Sequence, residues 1–264
     1  MNKSEWNLYS QVYDIYYRDY LIDVDYLDRR WQEKWKSVLE VGCGSGRLLP
    51  FFEKKRVSNY FGFDVCPEML SICLKRIRSE NYFLCLGDFS QAGLHKGFDL
   101  FVYAFNTINY LLTPEQVVQH LRLCSTNLNE HGSIFIDALV PFAVSKGEDG
   151  SRYVRRESVK ENGCSYELWD RRYYDPVLQI EERHMKSAMI TDGEETSQLF
   201  FKTWRRYYSV EDIESYAREA GLRISLADPY FHAGYLDGYF VWLERDPDLA
   251  KRKQKKVGQK NMGG

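Results

Sequence analysis

Short apolar runs alternate with amphipathic stretches through the first half of this chain, and the alternation predicts strand and helix in turn. Ser37–Val41, Tyr60–Asp64, Tyr82–Leu86, Phe98–Phe105 and Ser133–Leu139 are continuous enough in apolar residues to be strands buried on both faces. Between them, Arg47–Lys55 has helical texture, and Pro67–Arg78 opens on a proline, the residue best tolerated at a first helical position. Thr113-Pro114-Glu115-Gln116 has the spacing of a capping box and predicts a helix running to about Leu128, closed by Asn129–Gly132. Doubly buried strands separated by helices imply a parallel sheet, and right-handed crossovers make it doubly wound.

From about Val140 the texture changes. Residues 152–159, 165–174, 178–190 and 197–207 are strand-like, with turn signals at Glu161-Asn162-Gly163, Asp175-Pro176 and Thr191-Asp192-Gly193. An antiparallel meander is expected there. A helix over Val210–Ala220 follows, capped by Ser209 and stopped by Gly221, and Leu222–Ala227 and Tyr235–Glu244 are the last strands. The expected organisation is a helical cap over 1–36, an α/β domain over 37–144 and 208–246, an antiparallel β lid inserted over 145–207, and a basic tail over 247–264.

Composition narrows this picture. The chain has 264 residues, 44% hydrophobic and 28% charged, enough for one α/β domain with an insertion. A formal charge of -2 gives no global pull toward nucleic acid or anionic membrane. No apolar run approaches the roughly 20 residues of a membrane span. The segment 1–20 is polar and tyrosine-rich, without the basic-then-apolar order of a signal peptide, so a cytoplasmic location is expected. Six cysteines stand singly, without zinc-ligand spacing, and no metal is expected. Twenty tyrosines suggest half-polar surfaces such as a lined pocket.

The informative segment is Glu40-Val41-Gly42-Cys43-Gly44-Ser45-Gly46. An acidic strand end meets three alternating glycines and a helix start, where a ligand can approach the main chain. A dinucleotide fingerprint would place its third glycine at position 47, which is Arg47, and no Gly-Lys-Ser/Thr follows to make a phosphate loop. The spacing instead resembles the first motif of class I S-adenosylmethionine methyltransferases. That family implies a Rossmann-like, doubly wound sheet of seven mostly parallel strands, with S-adenosylmethionine as cofactor. By resemblance, the loop (Glu40, Gly42, Gly44, Gly46) contacts the amino-acid part of the cofactor. Asp64, ending the second strand, accepts both ribose hydroxyls, a role for which a carboxylate has the acceptors. Met69 meets adenine, Asp88 takes the adenine amino hydrogen, the Phe89 backbone meets the ring, and Phe105 lies beside the methionine portion. Asn129–Ser133 departs from the Pro-Gly-Gly that many members carry, which alters a turn and no ligand contact.

The segment Tyr13-Asp14-Ile15-Tyr16-Tyr17 resembles the aromatic opening of small-molecule N-methyltransferases, including those acting on amino sugars, and the resemblance puts Tyr17 near the methyl group. An aromatic face suits a sulfonium cation. An amine acceptor has to lose a proton, for which His232 and His184 are the histidine candidates in the substrate half. Asn106, Thr107, Asn109 and Tyr110 follow the fourth strand, where a substrate contact competes with plain turn chemistry. The expected activity is methylation of a small polar metabolite, at nitrogen before oxygen. The rival readings are an RNA or protein methyltransferase and a non-catalytic S-adenosylmethionine-binding module. Ala104-Phe105-Asn106-Thr107 lacks the Asn/Asp-Pro-Pro-Tyr/Phe of base-modifying enzymes, whereas the lysine-rich tail leaves a grip on RNA open.

Overall fold

The computed structural model describes residues 3–94, 97–140, 150–232 and 235–248. The basic tail beyond 248 therefore lies outside the described residues. Two helices lead, α1 (Lys3–Tyr17) and α2 (Ile22–Arg30). The alternating half follows as β1 (Ser37–Val41), α3 (Leu49–Lys54), β2 (Asn59–Asp64), α4 (Pro67–Arg76), β3 (Tyr82–Leu86), β4 (Phe98–Tyr103), α5 (Pro114–Asn127) and β5 (Leu128–Leu139). The meander is β6 (Val154–Glu161), β7 (Cys164–Asp175), β8 (Ile180–Thr191) and β9 (Glu194–Arg206). The chain closes with α6 (Val210–Glu219), β10 (Leu222–His232) and β11 (Tyr235–Arg245).

The seven-stranded sheet has the order β10-β11-β5-β4-β1-β2-β3. Strands β1 to β5 pair in parallel, and β11 runs antiparallel to both neighbours. The expected doubly wound, mostly parallel sheet is thus the observed one. Helix ends fall where their chemistry puts them. Thr113 and Gln116 form the reciprocal capping box of α5, and Ser209 and Asp212 form another at α6. Boundaries moved most at β5. It begins at Leu128 without an intervening turn, because Asn129 Nδ2 donates to Asp99 at 2.6 Å and ties that stretch to the start of β4. β10 also runs on to His232 by pairing with β11.

Two apolar layers sandwich the sheet. One joins Leu39, Phe101, Tyr103, Ile134 and Ile136 to α5 and α6. The other joins Val38, Leu100, Val102 and Phe135 to α2 and α3, with Trp35 stacked on Trp242 at 5.3 Å.

The meander is a separate four-stranded antiparallel sheet, and α1 packs on its inner face: Tyr9 and Val12 bury Leu168, Met185 and Phe201. The same face carries buried charge. Asp170 accepts from Arg156 at 2.6 Å and from Arg172 at 3.1 Å, and is also bonded to Arg183, while Glu181 accepts from Arg205 at 2.9 Å. Two fully buried carboxylates hold four guanidiniums together. Removing one partner of such a cluster strands the others in a low-dielectric interior. Asp170→Ala is therefore expected to lower unfolding free energy by about 3–5 kcal/mol in urea denaturation. A loss below about 1 kcal/mol, the range of exposed pairs, would contradict the buried-cluster account.

Candidate functional site

A cavity of about 460 Å³ opens at the carboxyl ends of β1 to β4, the edge at which doubly wound sheets bind ligands. Its floor is the glycine turn. Gly42 N and Cys43 N both donate to Phe63 O, at 2.7 and 3.0 Å, and fasten the turn to β2. Gly42 has φ +69°, and a Cβ there would stand 2.6 Å from Thr107 Cγ2. A Cβ on Gly44, at φ +55°, would meet nothing within 4 Å, so that backbone faces open cavity. Gly46 points the other way, against Cys73 and Leu49, and does not line the cavity.

Asp64 ends β2 with both oxygens anchored. Oδ2 accepts from Gly44 N and Oδ1 from Cys66 N, each at 2.8 Å. Each carboxylate oxygen has a second lone pair, so a ligand hydroxyl can still be accepted. Burial raises the Asp64 pKa, and the backbone donors oppose it. Met69, in the first turn of α4, and Phe89 are buried against the same space. Asp88 caps a short turn, accepting from Ser90 N at 2.8 Å, with His120 Nε2 3.6 Å away. Partial burial works against its ionisation, but Ser90 and His120 outweigh it and hold Asp88 below the usual range. Burial pushes the His120 imidazole down to about 4, against the pull of Asp88. His120 thus lines the cavity as a neutral ring. Its signal in the sequence was only helical spacing, which does not distinguish a packed histidine from a functional one.

Glu40 sits at the end of β1, buried, accepting from Tyr60 Oη at 2.6 Å. Burial, partly offset by Tyr60 and Arg47, pushes its carboxyl up to about 8. Arg47 leaves the turn and forms a buried, two-pronged ion pair with Asp23, at 2.8 and 2.5 Å, while donating to Tyr20 O at 2.6 Å. Its guanidinium also lies over the rings of Phe105 and Tyr20, 5.3 and 5.5 Å from their centroids.

The fourth wall is α1. Trp6, Tyr9 and Tyr13 line the cavity, and Asp14 clamps the helix to the glycine turn by accepting from Ser45 Oγ and pairing with Arg76. Tyr17 does not line the cavity. It stands one ring behind the wall, 5.0 Å from Phe105 and 5.3 Å from Tyr13. The four-stranded sheet likewise stays outside. None of Tyr153, Arg155, Arg156, Tyr166, Trp169, Arg171, Arg172, Tyr173 and Tyr174 lines the cavity, because α1 lies between the two.

The histidine candidates divide. His184 turns its Nε2 to Glu182 at 2.6 Å on the face of β8 opposite the buried Glu181, Arg183 and Met185, away from α1. His232 is the last residue of β10, and its side chain lies outside the described ones. Of the residues after β4, Thr107 and Tyr110 line the cavity. Asn109 instead ties β5 to the end of β9, through Leu139 and Arg206.

The fold is one shared by S-adenosylmethionine-dependent methyltransferases. Residues 38–132 match the family model described as a methyltransferase domain. The putative methyltransferase YqeM of Bacillus subtilis (strain 168) is 22% identical over 189 residues, spanning 71% of this chain and 73% of that protein. An S-adenosylmethionine-dependent methyltransferase from Clostridium acetobutylicum ATCC 824 superposes with a TM-score of 0.69 at 18% identity, over 91% of this chain and 98% of that one. CalS10, an amino pentose methyltransferase from Micromonospora echinaspora solved with S-adenosylmethionine bound, has a TM-score of 0.68 at 20% identity, over 86% and 90%.

The raised carboxyl of Glu40 has a signed consequence. An acid whose folded pKa lies above its unfolded value stabilises fully below the unfolded value, and that stability is lost as pH rises through the folded one. Between about pH 4.5 and 8, Glu40 therefore costs the ligand-free protein about 1.4 kcal/mol per pH unit. Glu40→Gln keeps an acceptor for Tyr60 and removes the titration. Its unfolding free energy relative to the parent should rise steadily across that window in urea titrations. A constant difference would contradict a protonated Glu40.

Proposed function

We propose that the chain transfers a methyl group from S-adenosylmethionine to a nitrogen of a small polar metabolite. The carrying observation is α1: it lays Trp6, Tyr9 and Tyr13 across the cavity and leaves a compact space that admits a small acceptor better than a polymer. The near-neutral formal charge of -2 supports the same reading, as does the likeness to an amino pentose methyltransferase.

In this reading Asp64 receives the ribose hydroxyls. Met69, Asp88 and Phe89 hold the adenine. Glu40, Gly42 and Gly44 face the amino-acid portion, and Gly46 shapes the turn. Bound S-adenosylmethionine supplies a methyl carbon already activated by its sulfonium. The chain has to align the acceptor, keep water out and take up a proton. Phe105 lies at the methyl end, and Tyr17 braces it from behind. Aromatic rings there favour the sulfonium without competing as nucleophiles. The acceptor atom and a cytoplasmic setting belong to the same proposal. Among the described residues no helix is long and apolar enough to cross a membrane.

Two measurements test this. Purified protein incubated with methyl-labelled S-adenosylmethionine and a metabolite extract should yield a labelled small molecule with the methyl on nitrogen. Label confined to RNA or protein would overturn the small-acceptor reading. By calorimetry, Asp64→Ala should weaken S-adenosylhomocysteine binding by about 1.5–3 kcal/mol, the loss expected for hydrogen bonds to a charged group. Unchanged affinity would remove Asp64 from the cofactor site.

A further inference from the structure

The turn after β4 is built against local preference. Phe105 and Asn106 both have positive φ, +47° and +62°, although neither is glycine. Such residues persist where the surroundings over-determine them, and they concentrate at functional sites. Here the surroundings are polar. Asp137, on the carboxyl half of β5, is fully buried and receives the Asn106 backbone N–H. Tyr230 Oη, from β10, donates to Asp137 Oδ1 at 2.9 Å and lies 3.4 Å from Asn106 Oδ1. The second oxygen of Asp137, Oδ2, is buried without a hydrogen-bond partner among the described residues. A buried carboxylate oxygen with no donor is costly, and a native structure that keeps one calls for an explanation.

Among the described residues Asp137 also forms no ion pair. The acidic and phenolic groups that act on it and its neighbours come from every packed element: Asp23 and Tyr20 from the N-terminal cap, Tyr230 from β10 and Asp237 from β11. The positive charge that acts on it, Arg47, is committed to Asp23. Burial first, then Asp23, pushes the Asp137 carboxyl up to about 8, with Tyr230 and Arg47 opposing. This patch adjoins the cofactor cavity at Phe105. The Phe105 ring lines the cavity and packs 4.7 Å from the Tyr20 ring, and the next residue bonds Asp137.

We propose that Asp137 receives the acceptor's amino group and takes its proton. The proposal rests on the nitrogen-methylation reading above. The acceptor it implies is a primary or secondary amine that arrives as an ammonium ion and supplies the donor that Oδ2 lacks. One N–H bond breaks as an O–H bond forms on Asp137. The freed nitrogen pair then bonds to the methyl carbon while the carbon–sulfur bond breaks, sulfur keeping that pair. The methylated ammonium leaves, and Asp137 returns its proton to solvent. For the amine to pass, the Phe105 side chain has to rotate away from Tyr20, a side-chain movement that leaves the backbone turn and its hydrogen bonds in place.

Asp137→Asn tests this, because an amide can still accept from Tyr230 and Asn106 and so keeps the turn. With labelled S-adenosylmethionine and a metabolite extract, the parent should form an N-methylated amine, at a rate that climbs with pH through the neutral range. The variant should bind S-adenosylhomocysteine as the parent does yet turn over roughly 100-fold more slowly at pH 7, the scale of a lost general base. Its deficit should shrink above pH 9, where more amine is already unprotonated. Tyr230→Phe provides a second handle. Losing the hydroxyl that steadies the carboxylate should move the rising limb to higher pH. Parent-like turnover in Asp137→Asn, or an unmoved limb in Tyr230→Phe, would overturn the assignment of Asp137 while leaving nitrogen methylation intact. If the parent itself makes no N-methylated product, the underlying reading fails and this proposal with it.

Discussion

The buried ion pair of Arg47 with Asp23 holds the site together. Arg47 belongs to the exit of the glycine turn, and Asp23 to the N-terminal cap. A two-pronged guanidinium–carboxylate contact is among the strongest and most directional a protein can make. Both groups are almost wholly out of water, so losing either would leave an unpaired buried charge. The pair also takes in the Tyr20 carbonyl and lies over the Tyr20 and Phe105 rings. Cap and glycine turn are thus held to each other by one contact, which also packs against the Phe105 ring.

The pair governs the electrostatics as well. It acts on the carboxyls of both Glu40 and Asp137, and its one cation is already paired with Asp23. Among the described residues, these two buried carboxyls have no counter-ion of their own, and burial favours their protonated forms. Such a site is poised for cationic ligands, whose arrival would release those protons. A sulfonium cofactor with an amino-acid end and the proposed amine acceptor both answer that description.

Much of this was legible in the sequence, because much of it is periodic or local. Doubly buried strands, the Thr113–Gln116 capping box and the alternating glycines each carry their own signal, and Glu40, Gly42, Gly44 and Asp64 line one cavity while Gly46 does not. Arg47 was read only as the residue that breaks a dinucleotide fingerprint. Its partner Asp23 lies 24 positions earlier in the chain, with no spacing rule to link them. Asp14 stood inside an aromatic segment and was overlooked beside its tyrosines, although it is Asp14 that clamps α1 to the turn. Asp137 looked like any residue near the end of an apolar strand; only the pairing of β5 with β4 and β11 puts it behind Asn106. The lid was expected over the cavity because of its position in the chain, but which face of α1 it would meet depended on packing that no pattern in the lid itself records.

A crystal structure with S-adenosylhomocysteine tests the central claim most directly. The account predicts the ribose at Asp64, the adenine between Met69 and Phe89, and the sulfur end facing Phe105, with the Arg47–Asp23 pair unbroken beneath it. Ligand bound elsewhere, or a cap that has released Arg47 to admit it, would contradict the account.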